Sequence, residues 1–231
     1  MIPKIIHQIW EGPPQSELLM KLSESWRLHH PDWHYELWNS ERMISFVKDS
    51  YPQMEDICFN YKYSIQRWDV IRYLILYKLG GMYVDCDYEC FESFNGYITE
   101  SSKCYFAMEP DEHRLIFKKN IYFSNSLMIT PPCHPFFEYL IKNLQTASVI
   151  YTDNKLLDVL NSTGPIMLSS LYEKFENKSI IEFLLPELVM PWSRMDVQNY
   201  INGTANDEIL GHKLEKAISI HYFGGAWLYC E

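Results

Sequence analysis

The sequence predicts one mixed α/β domain, a central sheet flanked by helices. Three observations lead there. Short β-branched apolar runs alternate with stretches whose apolar residues recur at helical spacing. The chain carries no repeat and no long polar linker. Its 231 residues suffice for one well-buried core and are short for two.

Residues 4–10 read as the first strand, opened by Pro3 and closed by Gly12-Pro13-Pro14. Leu18, Leu19, Leu22 and Trp26 give residues 16–29 a helical stripe that Pro31 ends, and residues 33–38 alternate like a second strand. Ser40 is expected to N-cap the next helix, which carries Met43, Ile44 and Val47 on one side. A short helix precedes Asn60. Residues 64–79 then read as an amphipathic helix (Trp68, Ile71, Leu74, Ile75, Leu79), with Lys78 in its last turn and Gly80 at a left-handed C-terminal position. Strands are expected over 104–108 and 122–130, a helix after Pro135, and another opened by Pro165. Residues 180–185 and 217–220 read as late strands.

Composition excludes several functions. A net charge of −10 argues against a nucleic-acid partner, which needs a basic face, and against general adhesion to an anionic membrane. No apolar run approaches the ~20 residues of a membrane helix. The opening residues contain no signal-peptide core, so the six cysteines read as reduced thiols and the expected location is cytoplasmic, with peripheral contact at the inner membrane face left open.

The most informative segment is Gly80-Gly81-Met82-Tyr83-Val84-Asp85-Cys86-Asp87. Two glycines end a buried helix, and a short apolar strand then delivers two carboxylates spaced i, i+2, which strand alternation places on one side. Left alone the pair would repel and raise one pKa; a hard divalent cation, Mn2+ or Mg2+, removes the conflict. A bare Asp-x-Asp is otherwise an ordinary strand end. Asp69 and Arg72 share one face of the preceding helix, where a buried charged pair is expensive unless something else binds it.

The run from Asp69 to Asp87 resembles the signature of glycosyltransferase family 32, whose members carry a DXD sugar-binding region, and is similar to the catalytic domains of the large clostridial glucosylating toxins. The opening IPKIIHQIW, the block from His30-Pro31-Asp32-Trp33 to Leu37-Trp38, and the tail HYFGGAW match further family blocks in the family's order. The resemblance thus spans nearly all of residues 1–231 and implies a GT-A-type nucleotide-sugar transferase fold. It implies that Asp87 binds the metal directly, that Asp85 faces the sugar or ribose and reaches the metal through water, and that His221 completes the metal shell. Trp10 would stack on the base, and Asp69 and Arg72 would contact the donor's hydroxyls and phosphate. Tyr83 and Asn125 would line the donor site, Gly224 and Gly225 would let backbone approach the phosphates, and Trp227 would close over the donor. Asp85, Asp87 and Arg72 are the catalytic candidates. Some relatives carry His where this chain has Tyr222.

The expected activity is metal-dependent, configuration-retaining transfer of a hexose, with a UDP-hexose favoured, to a glycan or lipid-linked glycan acceptor in capsule, lipopolysaccharide or other surface-polysaccharide synthesis. An inverting enzyme would need a general base; Glu109 and Glu187 are available, but no motif marks them. One alternative is a catalytically inactive sugar-nucleotide-binding module. The other is a phosphohydrolase with an Asp-x-Asp site, disfavoured because Glu89 stands two past the second Asp where that family needs Thr or Val.

Overall fold

The structure, a computed structural model, describes residues 1–13, 15–152 and 154–225. Strand β1 (Ile5–Ile9) is followed by α1 (Glu17–His29), β2 (His34–Trp38), α2 (Ser40–Ser50), α3 (Glu55–Phe59) and α4 (Ser64–Leu79). Strands β3 (Gly81–Val84), β4 (Tyr88–Cys90) and β5 (Cys104–Met108) come next, then α5 (Asp111–Ile116), β6 (Phe123–Thr130), α6 (Pro135–Thr146), α7 (Lys155–Ser162) and α8 (Pro165–Lys174). The last elements are β7 (Ile181–Leu184), α9 (Pro186–Val189), α10 (Arg194–Ile201), α11 (Asp207–Leu214) and β8 (Ser219–His221).

Six strands form a sheet in the order β2-β1-β3-β6-β5-β7. The β1 pairings with β2 and β3 and the β5 pairing with β7 are parallel, whereas β6 runs antiparallel to both β3 and β5. The sheet is therefore mixed, with apolar cores on both faces. One contains Val70, Leu74 and Ile75 of α4 with Phe136, Phe137 and Leu140 of α6; the other gathers Trp26 of α1, Tyr88 and Phe94. A separate antiparallel pair, β4 and β8, sets Tyr88 opposite His221.

Three expectations are corrected. The N-cap of α2 is Asn39, whose side chain accepts from the Arg42 N–H at 2.9 Å; Ser40 is the first helical residue. Helix α4 has no broad wet face, because ten of its sixteen residues are buried, including Gln66, Asp69 and Arg72. The last strand runs to His221 rather than ending at Ile220, since pairing with β4 carries it further.

The need for the glycine pair is steric. Gly80 takes φ 67° and ψ −164°, and Gly81 takes φ 97°. A Cβ on Gly80 would lie 2.8 Å from the Pro132 nitrogen, and one on Gly81 2.6 Å from the Ile5 carbonyl oxygen. Only glycine lets the chain leave α4 and enter the sheet centre in so few residues.

Candidate active site

A cleft of about 340 Å³ opens beyond the C-terminal ends of β1 and β3. Trp10, Asp69, Arg72, Tyr83, Asp85, Asp87, Asn125, His221, Gly224 and Gly225 all line it. The sequence-predicted site residues therefore converge, except Trp227, which lies outside the described residues.

The two carboxylates converge by a turn and not by strand alternation. Strand β3 ends at Val84, and the Tyr88 N–H donates to the Asp85 carbonyl at 3.3 Å, closing a turn around Cys86 and Asp87. Asp85 is anchored by its backbone N–H to the Ser126 carbonyl at 2.8 Å. Its Oδ1 meets Arg72 Nη1 at 3.1 Å and accepts from the Tyr83 hydroxyl at 2.7 Å. Asp87 Oδ1 lies 3.1 Å from His221 Nε2, and its Oδ2 accepts from the Gly224 N–H at 2.7 Å. A Cβ on Gly224 would sit 3.2 Å from that same oxygen, so the glycine admits a close approach to Asp87 itself.

Electrostatics separates the two carboxylates. Burial raises the Asp85 pKa, and the nearby Asp87 charge adds to it, against the pull of Arg72. Burial also opposes ionisation of Asp87, but His221 and the Gly224 N–H outweigh it and hold this group below its ordinary value. The His221 ring is desolvated, yet Asp87 beside it keeps its pKa above the usual imidazole value. It stacks on Tyr88 at 4.3 Å and packs on Phe223 at 4.1 Å, and its Nδ1 is buried without a partner among the described residues.

One carboxylate oxygen from each aspartate and one His221 nitrogen lie within 4.8 Å of one another. Two hard oxygens and an imidazole make a donor set suited to a divalent ion, whose charge would offset that of the two neighbouring aspartates. These residues fit a metal site.

Beneath the cleft Arg72 is held entirely by protein. Its Nη2 reaches Asp69 Oδ1 at 3.3 Å, Nη1 donates to the Asn125 carbonyl at 3.1 Å, and its guanidinium lies 4.6 Å from the Tyr83 ring centre. Asp69 also accepts from Asn125 Nδ2 at 2.8 Å and from the Thr163 hydroxyl at 2.7 Å. Asn125 thus meets the helix pair through a network the sequence did not reveal, with Thr163 and Tyr73 as added members. Trp10 stands half-buried at the rim, its indole N–H donating to the Pro13 carbonyl at 2.7 Å. Trp68, read from sequence only as an apolar stripe residue, lines the cleft as well. So does Glu109, whereas Glu187 is exposed on α9 away from it.

Residues 16–103 match the family model described as glycosyltransferase sugar-binding region containing DXD motif, a span that contains Asp69, Arg72, Asp85 and Asp87. Residues 16–103 thus carry the DXD sugar-binding region of a glycosyltransferase family. It is 34% identical over 178 residues to inositol phosphoceramide mannosyltransferase 2 of Schizosaccharomyces pombe, an alignment covering 77% of this chain and 48% of the relative. The chain spans about half the length of the curated relatives it matches.

Two solved structures share the fold. The PaToxG glycosyltransferase superposes with a TM-score of 0.51 at 21% identity, covering 75% of this chain and 69% of its own. The UDP-bound glycosyltransferase domain of the YGT toxin gives 0.52 at 8% identity, covering 92% and 89%. The glycosyltransferase fold here is of the GT-A type, with a mixed sheet flanked by helices. Among the described residues no helix is long and apolar enough to cross a membrane.

Proposed function

We propose that this chain catalyses metal-dependent transfer of a hexose from a nucleoside-diphosphate sugar to a hydroxyl of a glycan or lipid-linked glycan, with retention of anomeric configuration. The observation that carries the reading is the Asp85–Asp87–His221 cluster facing a cleft whose floor is the Asp69–Arg72–Asn125 network. When bound, the cation would neutralise the donor diphosphate and stabilise charge on the departing nucleotide. Asp87 and His221 would hold it directly. Asp85 would be kept in place by Arg72 and Tyr83, which occupy Oδ1 and leave Oδ2 for a ligand. An imidazole among the ligands favours Mn2+ over Mg2+, which holds more strictly to oxygen. Trp10 and Trp68 offer ring surface for the base.

The relatives' names point to mannose as the sugar and, of the two acceptor classes, favour a lipid-linked glycan over surface polysaccharide. The UDP-bound toxin domain makes UDP a second carrier to test beside GDP. The panel that decides is GDP-mannose, UDP-glucose and UDP-galactose, followed by thermal shift with Mn2+ or with EDTA. One donor should raise the melting temperature only with Mn2+, and Asp87→Ala should lose that rise while still melting cooperatively. No rise with any donor, or an equal rise in EDTA, would overturn the reading.

A further inference from the structure

Glu109 lies immediately beyond β5, where the β5–β6 register shifts between Phe106 and Met108, and its N–H donates to the Tyr122 carbonyl at 3.1 Å. Such an irregularity re-aims a side chain. This one is 7% exposed and lines the cleft. A carboxylate so buried ordinarily pairs with Arg or Lys. Here the partner is His113 of α5, whose Nδ1 lies 2.7 Å from Glu109 Oε2.

The other ring nitrogen settles the tautomer. The Arg194 backbone N–H donates to His113 Nε2 at 3.1 Å, so the ring proton sits on Nδ1 and is donated to Glu109. The ring also packs edge-on against Phe223, a bulky residue at φ 46° that contacts His221 on its other side. Glu109 is thus oriented through one oxygen. Oε1 takes no hydrogen bond from the described residues, and the side chain lines the cleft.

Its position differs from that of the metal cluster. Strand β6 lies between β3 and β5, and both of these run antiparallel to it, so their C-terminal ends share one edge of the sheet. Asp85 is tied to Ser126 on one side of β6, and Glu109 to Tyr122 on the other. The two attachment points, Tyr122 just before β6 and Ser126 within it, lie about 13 Å apart along extended chain.

We propose that Glu109 is the acceptor-binding carboxylate: Oε1 accepts hydrogen bonds from the hydroxyls of a cyclic polyol and orients the attacking one, with His113 as its positioning residue. This rests on the transferase reading above. In the step, the acceptor oxygen bonds to the anomeric carbon as the carbon–oxygen bond to the diphosphate breaks. The electron pair leaves on the phosphate oxygen, which also receives the hydroxyl proton, and Glu109 ends in the protonation state in which it began.

The test compares wild type, Glu109→Gln and His113→Phe, all checked for unchanged melting temperature. The acceptor probes are methyl α-D-mannopyranoside and myo-inositol, and the donor is the one the thermal-shift panel selects. Loss of a hydrogen bond to a charged group predicts that Glu109→Gln lowers kcat/KM for the probe about 30-fold, while donor KM and nucleotide release into water stay within about threefold. His113→Phe should raise acceptor KM more than donor KM. Hydrolysis and transfer falling together, or transfer left unchanged, would overturn the proposal. If wild type releases nucleotide from no donor, the transferase reading is what fails. Saturation-transfer NMR with myo-inositol then reads Glu109 directly: a bound signal lost in Glu109→Gln supports the site, and signals equal or absent in both proteins overturn it.

Discussion

Asp69 has both carboxylate oxygens occupied and its side chain only 4% exposed. Burial pushes its pKa up to about 6, against the Arg72 charge and the Thr163 hydrogen bond. Arg72 in turn separates Asp69 from Asp85, so removing it leaves two buried carboxylates facing each other. Arg72→Gln is expected to lower turnover about a hundredfold and stability by about 3–5 kcal/mol. Steady-state rates and urea denaturation check both, and a near-wild-type rate would reduce the pair to a structural pillar. His7 gives a prediction of opposite character. Its Nδ1 accepts from the Trp38 indole at 3.2 Å and its Nε2 donates to the Gly80 carbonyl at 3.0 Å, so the buried ring is held neutral and its pKa is lowered to about 4. The unfolded chain takes up this proton near pH 6.5 and the native one does not. Stability from His7 is therefore complete above pH 6.5 and is lost as pH falls towards 4, by on the order of 3 kcal/mol. The raised Asp69 pKa acts with the opposite sign, losing stability as pH rises towards 6, so the readout is a difference between proteins. The unfolding free energy of His7→Gln should fall less steeply than that of wild type between pH 6.5 and 4; parallel slopes would contradict the assignment.

At the scale of elements, the junction between α4 and β3 bears the site. Two positive-φ glycines bring the chain from helix to sheet, β3 inserts between β1 and β6, and the turn after Val84 then sets both carboxylates against β8. Gly81→Ala combines an unfavourable φ with a Cβ 2.6 Å from a backbone carbonyl. It is expected to destabilise by about 3 kcal/mol or more. Gly211, in α11, supplies the control, because a Cβ there would meet nothing within 4 Å: Gly211→Ala should be neutral or stabilise by up to about 1 kcal/mol. Urea denaturation of the two variants side by side tests the argument, and equal effects would refute it.

Across the whole molecule, the placement of charged groups bears on stereochemistry. The cleft gathers metal-type ligands and a held Arg72 on one side and a single buried carboxylate, already bonded to His113, on the other. A set of this kind mainly positions substrates and stabilises charge. An α-linked nucleotide sugar should accordingly yield an α-linked product. The one-bond carbon–proton coupling at the new anomeric centre decides this, and a β linkage would overturn the retaining mechanism.

Much of the fold was legible from local patterns. Helical spacing over residues 64–79, the Gly80-Gly81 stop and the runs that became β1, β5 and β6 depend on side chains a few positions apart, and the structure has them within a residue or two of the expected bounds. The paired carboxylates Asp85 and Asp87 were legible for the same reason, since an Asp-x-Asp after a strand carries its own electrostatic conflict, whereas His221 was expected only from the tail's family resemblance. What no local pattern holds is which distant groups meet. His221 reaches Asp87 across 134 positions because β8 pairs with β4, and Thr163 reaches Asp69 across 94. Glu109 is distinguished from Glu187 only by a strand irregularity and by a histidine one turn away whose tautomer is set from α10. Pairing in a sheet and burial in a cleft are decided by the whole chain's packing, so the sequence determined the chemistry available, and the tertiary structure alone decided which groups could act together.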